Sequence, residues 1–203
     1  MLEFLLEIDR EVFLFLNGLH TSWLDPVMYY ISQKFFWIPF YMLLLWACYR
    51  HYGWKVLIIL LLTAVLITMS DQLSGLLKNT VQRFRPSRDE SLEGLVHIVY
   101  GKRGGRFGFV SSHAANSFAL AIFMIHLLRN NIKYIVPVMI TWASLKSYSR
   151  IYLGVHYPAD IIGGAILGIV CALIIIQLWK IILTRYAGKK TGHFDHPAEQ
   201  HPD

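Results

Sequence analysis

The sequence predicts an all-α fold, an integral membrane helical bundle of about five spans preceded by an amphipathic helix at the interface. Three observations lead there. The chain of 203 residues is 55% hydrophobic and only 16% charged, too apolar for an ordinary soluble domain. Apolar runs long enough to cross a bilayer recur between short polar stretches. Aspartate, serine and proline stand where several of those runs begin, as helix starts require.

Residues 2–18 (LEFLLEIDREVFLFLNG) carry apolar side chains at helical spacing with acids on the other face. That pattern predicts a helix lying on the membrane, and the charges at its middle oppose a crossing. Glu7, Asp9, Arg10 and Glu11 interrupt the segment, so it lacks the build of a cleavable signal, and the first true span is expected to direct insertion. That span starts at Asp25-Pro26 and runs to Tyr49, about 24 residues, enough for one crossing. Lys34 within it must snorkel or pair. The second span begins near Trp54 and is read as continuous helix to Arg85-Pro86, where proline discourages further helix. At about 30 residues, or about 45 Å, it projects beyond the hydrocarbon. Asp71 within it is read as structural, packed against polar neighbours such as Gln72 and Ser74.

Residues 87–110 form a glycine-rich polar loop, long enough to carry function. The third span runs from Ser111-Ser112-His113 to Leu128, the fourth from Lys133 to Arg150, and the fifth from Pro158 to Leu183. Residues 1–185 are thus expected to form one membrane-embedded domain, followed by a polar, disordered tail over 186–203. Cys48 and Cys171 lie in apolar runs and read as small buried hydrophobes.

One short run concentrates the chemistry. Ser149 to Asp160 places Arg150, His156 and Asp160 where one apolar segment ends and the next begins. Asp160 falls in the first turn of a helix opened by Pro158, where negative charge is favoured. Four residues away, His156 can offer one ring nitrogen to that carboxylate and keep the other free as a nucleophile or a base. Arg150 supplies a planar fork suited to phosphate or carboxylate. Alternation of the spans brings Lys78, Arg85, Ser111, Ser112 and His113 to the same membrane face. Lys78 and Arg85, seven residues apart, share a helix side if the helix holds. Two helix starts can aim free N–H groups at one anion there. The set suits a bound phosphate and its transfer to a nitrogen nucleophile.

These residues resemble the type 2 phosphatidic acid phosphatase family. Lys78 through Arg85-Pro86 is similar to the family's first motif, K, six residues, R-P. Ser149-Arg150, His156 and Asp160 fit the third, S-R, five residues, H, three residues, D. Val110-Ser111-Ser112-His113 resembles the second, P-S-G-H, with Val110 in place of proline and Ser112 in place of glycine. The resemblance implies that His156 is a nucleophile forming a phosphohistidine, that Asp160 orients it, and that His113 protonates the leaving group and later activates water. Lys78, Arg85, Arg150 and Ser111 would hold the phosphoryl oxygens, with Ser112 adding a donor or narrowing the pocket. It implies a metal-independent enzyme without a cofactor. Its substrate would be a lipid phosphate, either an isoprenyl diphosphate or a phospholipid phosphate. No nucleic acid and no obligate protein partner are expected.

Two other readings use the same residues. A non-catalytic anion or lipid-phosphate carrier needs the cations but no oriented histidine. A metal-dependent hydrolase could ligate through His113, His156 and Asp160, but the surrounding lysine and arginine oppose a metal cation. The opposite face carries Arg50, Lys55, Arg129, Lys133, Lys180, Arg185, Lys189 and Lys190. By the positive-inside rule that face and the C-terminal tail are cytoplasmic. The protein is therefore expected in the inner (cytoplasmic) membrane, with its site facing the periplasm or exterior.

Overall fold

The computed structural model describes residues 1–191. Among them stand seven α-helices and no strand beyond one isolated bridge, Phe84 to Phe107. They are α1 (Leu2–Gly18), α2 (Leu24–Ser32), α3 (Ile38–Tyr52), α4 (Val56–Val81), α5 (Ser112–Leu128), α6 (Ile135–Tyr152) and α7 (Pro158–Thr191). The fold is all-helical, as the sequence predicts. Part of the polar tail set apart at residue 186 is the end of α7, and residues 192–203 lie outside the described residues.

Helix α5 is the centre of the bundle, packed on α4, α6 and α7. It is short and rich in alanine and serine on its inward faces, which lets its neighbours approach closely. The contact with α7 is the tightest. A Cβ at Gly164 would lie 2.5 Å from the Ser111 carbonyl oxygen, and one at Gly168 would overlap the Ala115 carbonyl. Glycine at these two positions lets the backbones touch, so the starts of α5 and α7 stand side by side. Behind them, Leu62, Leu66, Phe123, Met139, Trp142, Cys171 and Trp179 fill the core.

The perimeter is apolar as well. Leu57 and Leu61 on α4 and Ile162, Ile166, Leu173 and Ile174 on α7 are all more than half exposed. A continuous apolar exterior is unsuited to water and suits lipid. The runs Phe35–Val81 and Pro158–Arg185 are long and apolar enough to cross a membrane.

Three boundaries differ from the sequence reading. The expected first span, 26–49, breaks at Gln33, whose backbone is extended, and resumes as α3 with Pro39 in its first turn. The second run does not stay helical to Arg85. It stops at Val81, where Gln82 adopts a left-handed conformation and closes the helix by donating its N–H to the Lys78 carbonyl. Lys78 and Arg85 therefore do not share a helix side. The third difference is in α1, where the acids do not all face outward. Asp9 turns inward, its Oδ1 accepting the Ala159 N–H at the start of α7 (2.8 Å). Asn17 donates to the Ile151 and Tyr152 carbonyls at the end of α6, at 3.2 and 2.9 Å. Helix α1 thus satisfies open backbone groups at both ends of the 153–157 turn.

The 87–110 loop folds back over these helix ends. Ser87 N–H donates to the Gly154 carbonyl (3.0 Å) and Gly108 N–H to the Arg83 carbonyl (2.8 Å). Leu92, Val99 and Val110 bury themselves as anchors.

Candidate functional site

The site lies where α4, α5, α6 and α7 end or begin. Pro158 starts α7, and Asp160 in its first turn is fully buried. Its Oδ2 accepts from His156 Nδ1 at 3.2 Å and from the Tyr157 N–H at 3.0 Å. Its Oδ1 accepts from Arg83 Nη1 at 3.3 Å. Three donors thus fix the carboxylate, and the carboxylate fixes the ring so that Nε2 is turned away from it. Burial, with Arg85, Arg150 and Lys78 nearby, holds the His156 imidazole well below its ordinary range. An imidazole in its neutral form keeps a lone pair on one nitrogen.

Arg85 reaches the site although α4 stops short of it. Its N–H donates to the Arg106 carbonyl, its Nε to the Phe107 carbonyl (2.9 Å) and its Nη1 to the Val155 carbonyl (3.4 Å). Gly104 and Gly108 make room for it: a Cβ at Gly104 would sit 2.7 Å from Arg85 Nη1. At Gly108 a Cβ would sit 2.7 Å from Asp160 Oδ2. The loop therefore has to be glycine at both points for the cation and the dyad to coexist.

Arg150, at the end of α6, is 4% exposed. Its Nη1 donates to Ser32 Oγ of α2, and its buried Nε has no protein partner among the described residues. A buried guanidinium N–H without an acceptor is costly unless an anion comes to it. Lys78 donates to Ser112 Oγ, which also bonds Ser74 Oγ at 2.6 Å. The serine that stands where the resembled motif has glycine thus holds the ammonium of Lys78 against α5. Ser111 is fully buried and caps α5, its Oγ accepting the Ala114 N–H and its own N–H donating to the Asp160 carbonyl (2.9 Å). His113, in the first turn of α5, has the cations Arg150, Lys146 and Lys34 and the imidazole of His156 as neighbours. It lines a cavity of about 450 Å³ that runs between α3, α4, α5 and α6.

All eight residues singled out from the sequence meet around this end of the bundle. Several neighbours were not legible there. Arg83 pairs with Asp9 (2.7 Å) as well as with Asp160 and lies over the Tyr157 ring at 4.1 Å. Its place inside the Lys78–Pro86 stretch was the one available signal. Ser32 and Asp9 come from segments far away in the chain and carried none. Lys146 precedes Arg150 by one helical turn, a spacing that could have flagged it. Asp71 accepts from Asn116 Nδ2 at 3.4 Å and lines the cavity rather than the dyad. Among the described residues no group of three or more histidine, cysteine or acidic side chains is arranged to hold a metal.

The comparisons with known proteins bear on the family of the chain. The chain is 44% identical over 171 residues to a lipid A 4'-phosphatase of Bacteroides thetaiotaomicron, spanning 83% of this chain and 75% of that protein. It is 34% identical over 189 residues to a lipid A 4'-phosphatase of Porphyromonas gingivalis, spanning 92% and 79%. The crystal structure of Aquifex aeolicus LpxE superposes with a TM-score of 0.64 over 82% of this chain and 93% of that one, at 24% identity, a likeness of fold. The PAP2 superfamily profile matches residues 52–182, more than half of the chain and the whole of the site except its α1 and α2 contacts. The chain belongs to the PAP2 superfamily.

Proposed function

We propose that this protein is an integral membrane lipid phosphatase that cleaves a lipid phosphomonoester or diphosphate through a phosphohistidine. The observation that carries the reading is the buried His156–Asp160 pair set among Lys78, Arg85 and Arg150. An anion carrier has no need of an imidazole aligned by a carboxylate.

The phosphoryl group sits between Arg85, Arg150 and Lys78, whose charges stabilise its equatorial oxygens as they gain charge. Neutral His156 attacks phosphorus through Nε2, and the N–P bond forms as the P–O bond to the lipid breaks. Asp160 holds Nδ1–H and balances the positive charge that develops on the ring. His113, on the cavity side, gives its proton to the departing oxygen. It then takes a proton from water, whose oxygen attacks phosphorus and displaces His156. The lipid tail lies in the apolar part of the cavity, along Leu44, Ile59 and Met124. Lipid A, for which the two relatives are named, belongs in the substrate panel beside isoprenyl diphosphate and phospholipid phosphate. Phosphate release from that panel by the purified protein tests the reading, and no release from any of them overturns it.

The scheme uses no metal. Orthovanadate is expected to inhibit competitively, because a five-coordinate vanadate on His156 resembles the transition state. Chelator is expected to leave the rate unchanged. Activity that vanishes with chelator and returns with a divalent ion rejects the scheme.

Residues 1–185 act as one membrane-embedded domain, with α1 held at the membrane surface against the site and the site on the periplasmic or exterior side. A cysteine at Gly105, where a side chain meets open space, is expected to react with an impermeant thiol reagent in intact cells. A cysteine at Gly188 is expected to stay unlabelled until the membrane is breached. The reverse pattern inverts the topology.

A further inference from the structure

The cavity beside His113 has two characters. Most of its wall is apolar, but Lys34, Asp71 and Lys146 line it as well. Lys146 is the unusual one. It is 7% exposed, and its ammonium donates to Tyr41 Oη at 3.0 Å and lies 5.3 Å from the Trp142 ring centroid. Among the described residues no carboxylate pairs with it. Asp71 faces the same cavity but is engaged by Asn116. The charges that act on Lys146 most strongly are the cations Lys34 and Arg150. A buried ammonium facing a phenol, an indole and two further cations is uncompensated. What the arrangement lacks is an anion.

The scissile phosphate is not that anion, because it belongs beside His156. His113 neighbours both groups of cations. Whatever leaves through His113 therefore passes into the range of Lys146 and Lys34. Two lysines act on phosphate as point charges, without demanding one orientation.

We propose that Lys146 and Lys34, with Tyr41 Oη, form a second anion subsite on the leaving-group side of His113, binding a further phosphate of the lipid substrate. This rests on the phosphatase reading above. The ligand chemistry is a second phosphate on the same lipid. It can come from the adjacent phosphate of a lipid diphosphate or from the distant phosphate of a bisphosphorylated glycolipid.

The test compares kcat/KM for paired substrates that differ by one phosphate, isoprenyl diphosphate against monophosphate and bisphosphorylated against monophosphorylated glycolipid. Lys146→Met keeps the volume and removes the charge, and Lys146→Arg restores charge. The preference for the two-phosphate member is expected to fall about tenfold in Lys146→Met and to return largely in Lys146→Arg. Lys34→Met, at an exposed position, is expected to lower it less, and it carries the test if the buried variant does not fold. A fall confined to the isoprenyl pair assigns the adjacent phosphate, and one confined to the glycolipid pair assigns the distant one. Preferences unchanged within about twofold in both pairs overturn the subsite. Thermal stabilisation of the full chain by methylene diphosphonate over orthophosphate needs no turnover. If no lipid is hydrolysed, yet diphosphonate stabilises the wild type and not Lys146→Met, the phosphatase reading fails and the subsite stands. If lipids are hydrolysed without regard to Lys146, the subsite fails alone.

Discussion

His156→Ala is expected to abolish phosphate release from lipid phosphate and from p-nitrophenyl phosphate alike, whereas His113→Ala separates the two substrates. The nucleophile is needed whatever leaves, since without Nε2 no N–P bond forms. The proton from His113 matters only when the departing oxygen is a poor leaving group. General acid catalysis contributes about 10²–10⁴-fold, so His113→Ala should lose about that factor on a lipid alkoxide. It should lose far less on nitrophenolate, which departs without help. The second step is hydrolysis of the N–P bond, and the same variant lacks the base for it. With the activated substrate a phosphorylated protein should therefore accumulate, acid-labile and base-stable as a phosphoramidate is. Mass spectrometry should place the phosphate on His156. Equal losses on both substrates with no trapped intermediate, or a His156→Ala protein that still turns over and carries phosphate on His113, would sink the role assignment.

The second large effect lies away from the chemistry. Gly168→Ala is expected to lower kcat about 10²-fold and to lower the thermal midpoint in detergent. A Cβ there overlaps the Ala115 carbonyl, a backbone atom that cannot swing aside as a side chain could. Helix α7 must then move off α5. That movement separates His156 and Asp160 from Ser111 and His113, which ride on the two helices, and misplacement by about 1 Å at a reacting centre costs about 10² in rate. Overpacking of this kind also destabilises by about 1–3 kcal/mol. Gly105→Ala, at open space on the loop, serves as the comparison. Wild-type kcat and midpoint in Gly168→Ala would show that the α5–α7 contact does not set the site.

Much of this was legible in the sequence because it is local. The starts of α5 and α7 follow from Ser111 and Pro158, whose side chains suit a cap and a first turn wherever they stand. The His156–Asp160 pair spans one turn of chain and forms at 3.2 Å, so its two members are legible from their spacing alone. Counting crossings leads to an expected convergence of Lys78, Arg85, His113 and Arg150, and the ends of α4, α5 and α6 bring them together, with Arg85 carried in by the segment after α4.

Tertiary structure decided what depends on partners distant in the chain. A helix read to Arg85 by its residues stops at Val81, because Arg85 finds carbonyl acceptors at Phe107 and Val155 that a straight helix would carry it past. Asp9 reads as a solvated acid on an amphipathic face, yet Arg83 and the open Ala159 N–H draw it inward. Ser32 and Tyr41 are ordinary residues of apolar segments until packing sets them against Arg150 and Lys146. Periodicity and caps report which way one element turns. The partner a charge meets is settled by how elements stack, and here that stacking rests on the glycine contact between α5 and α7.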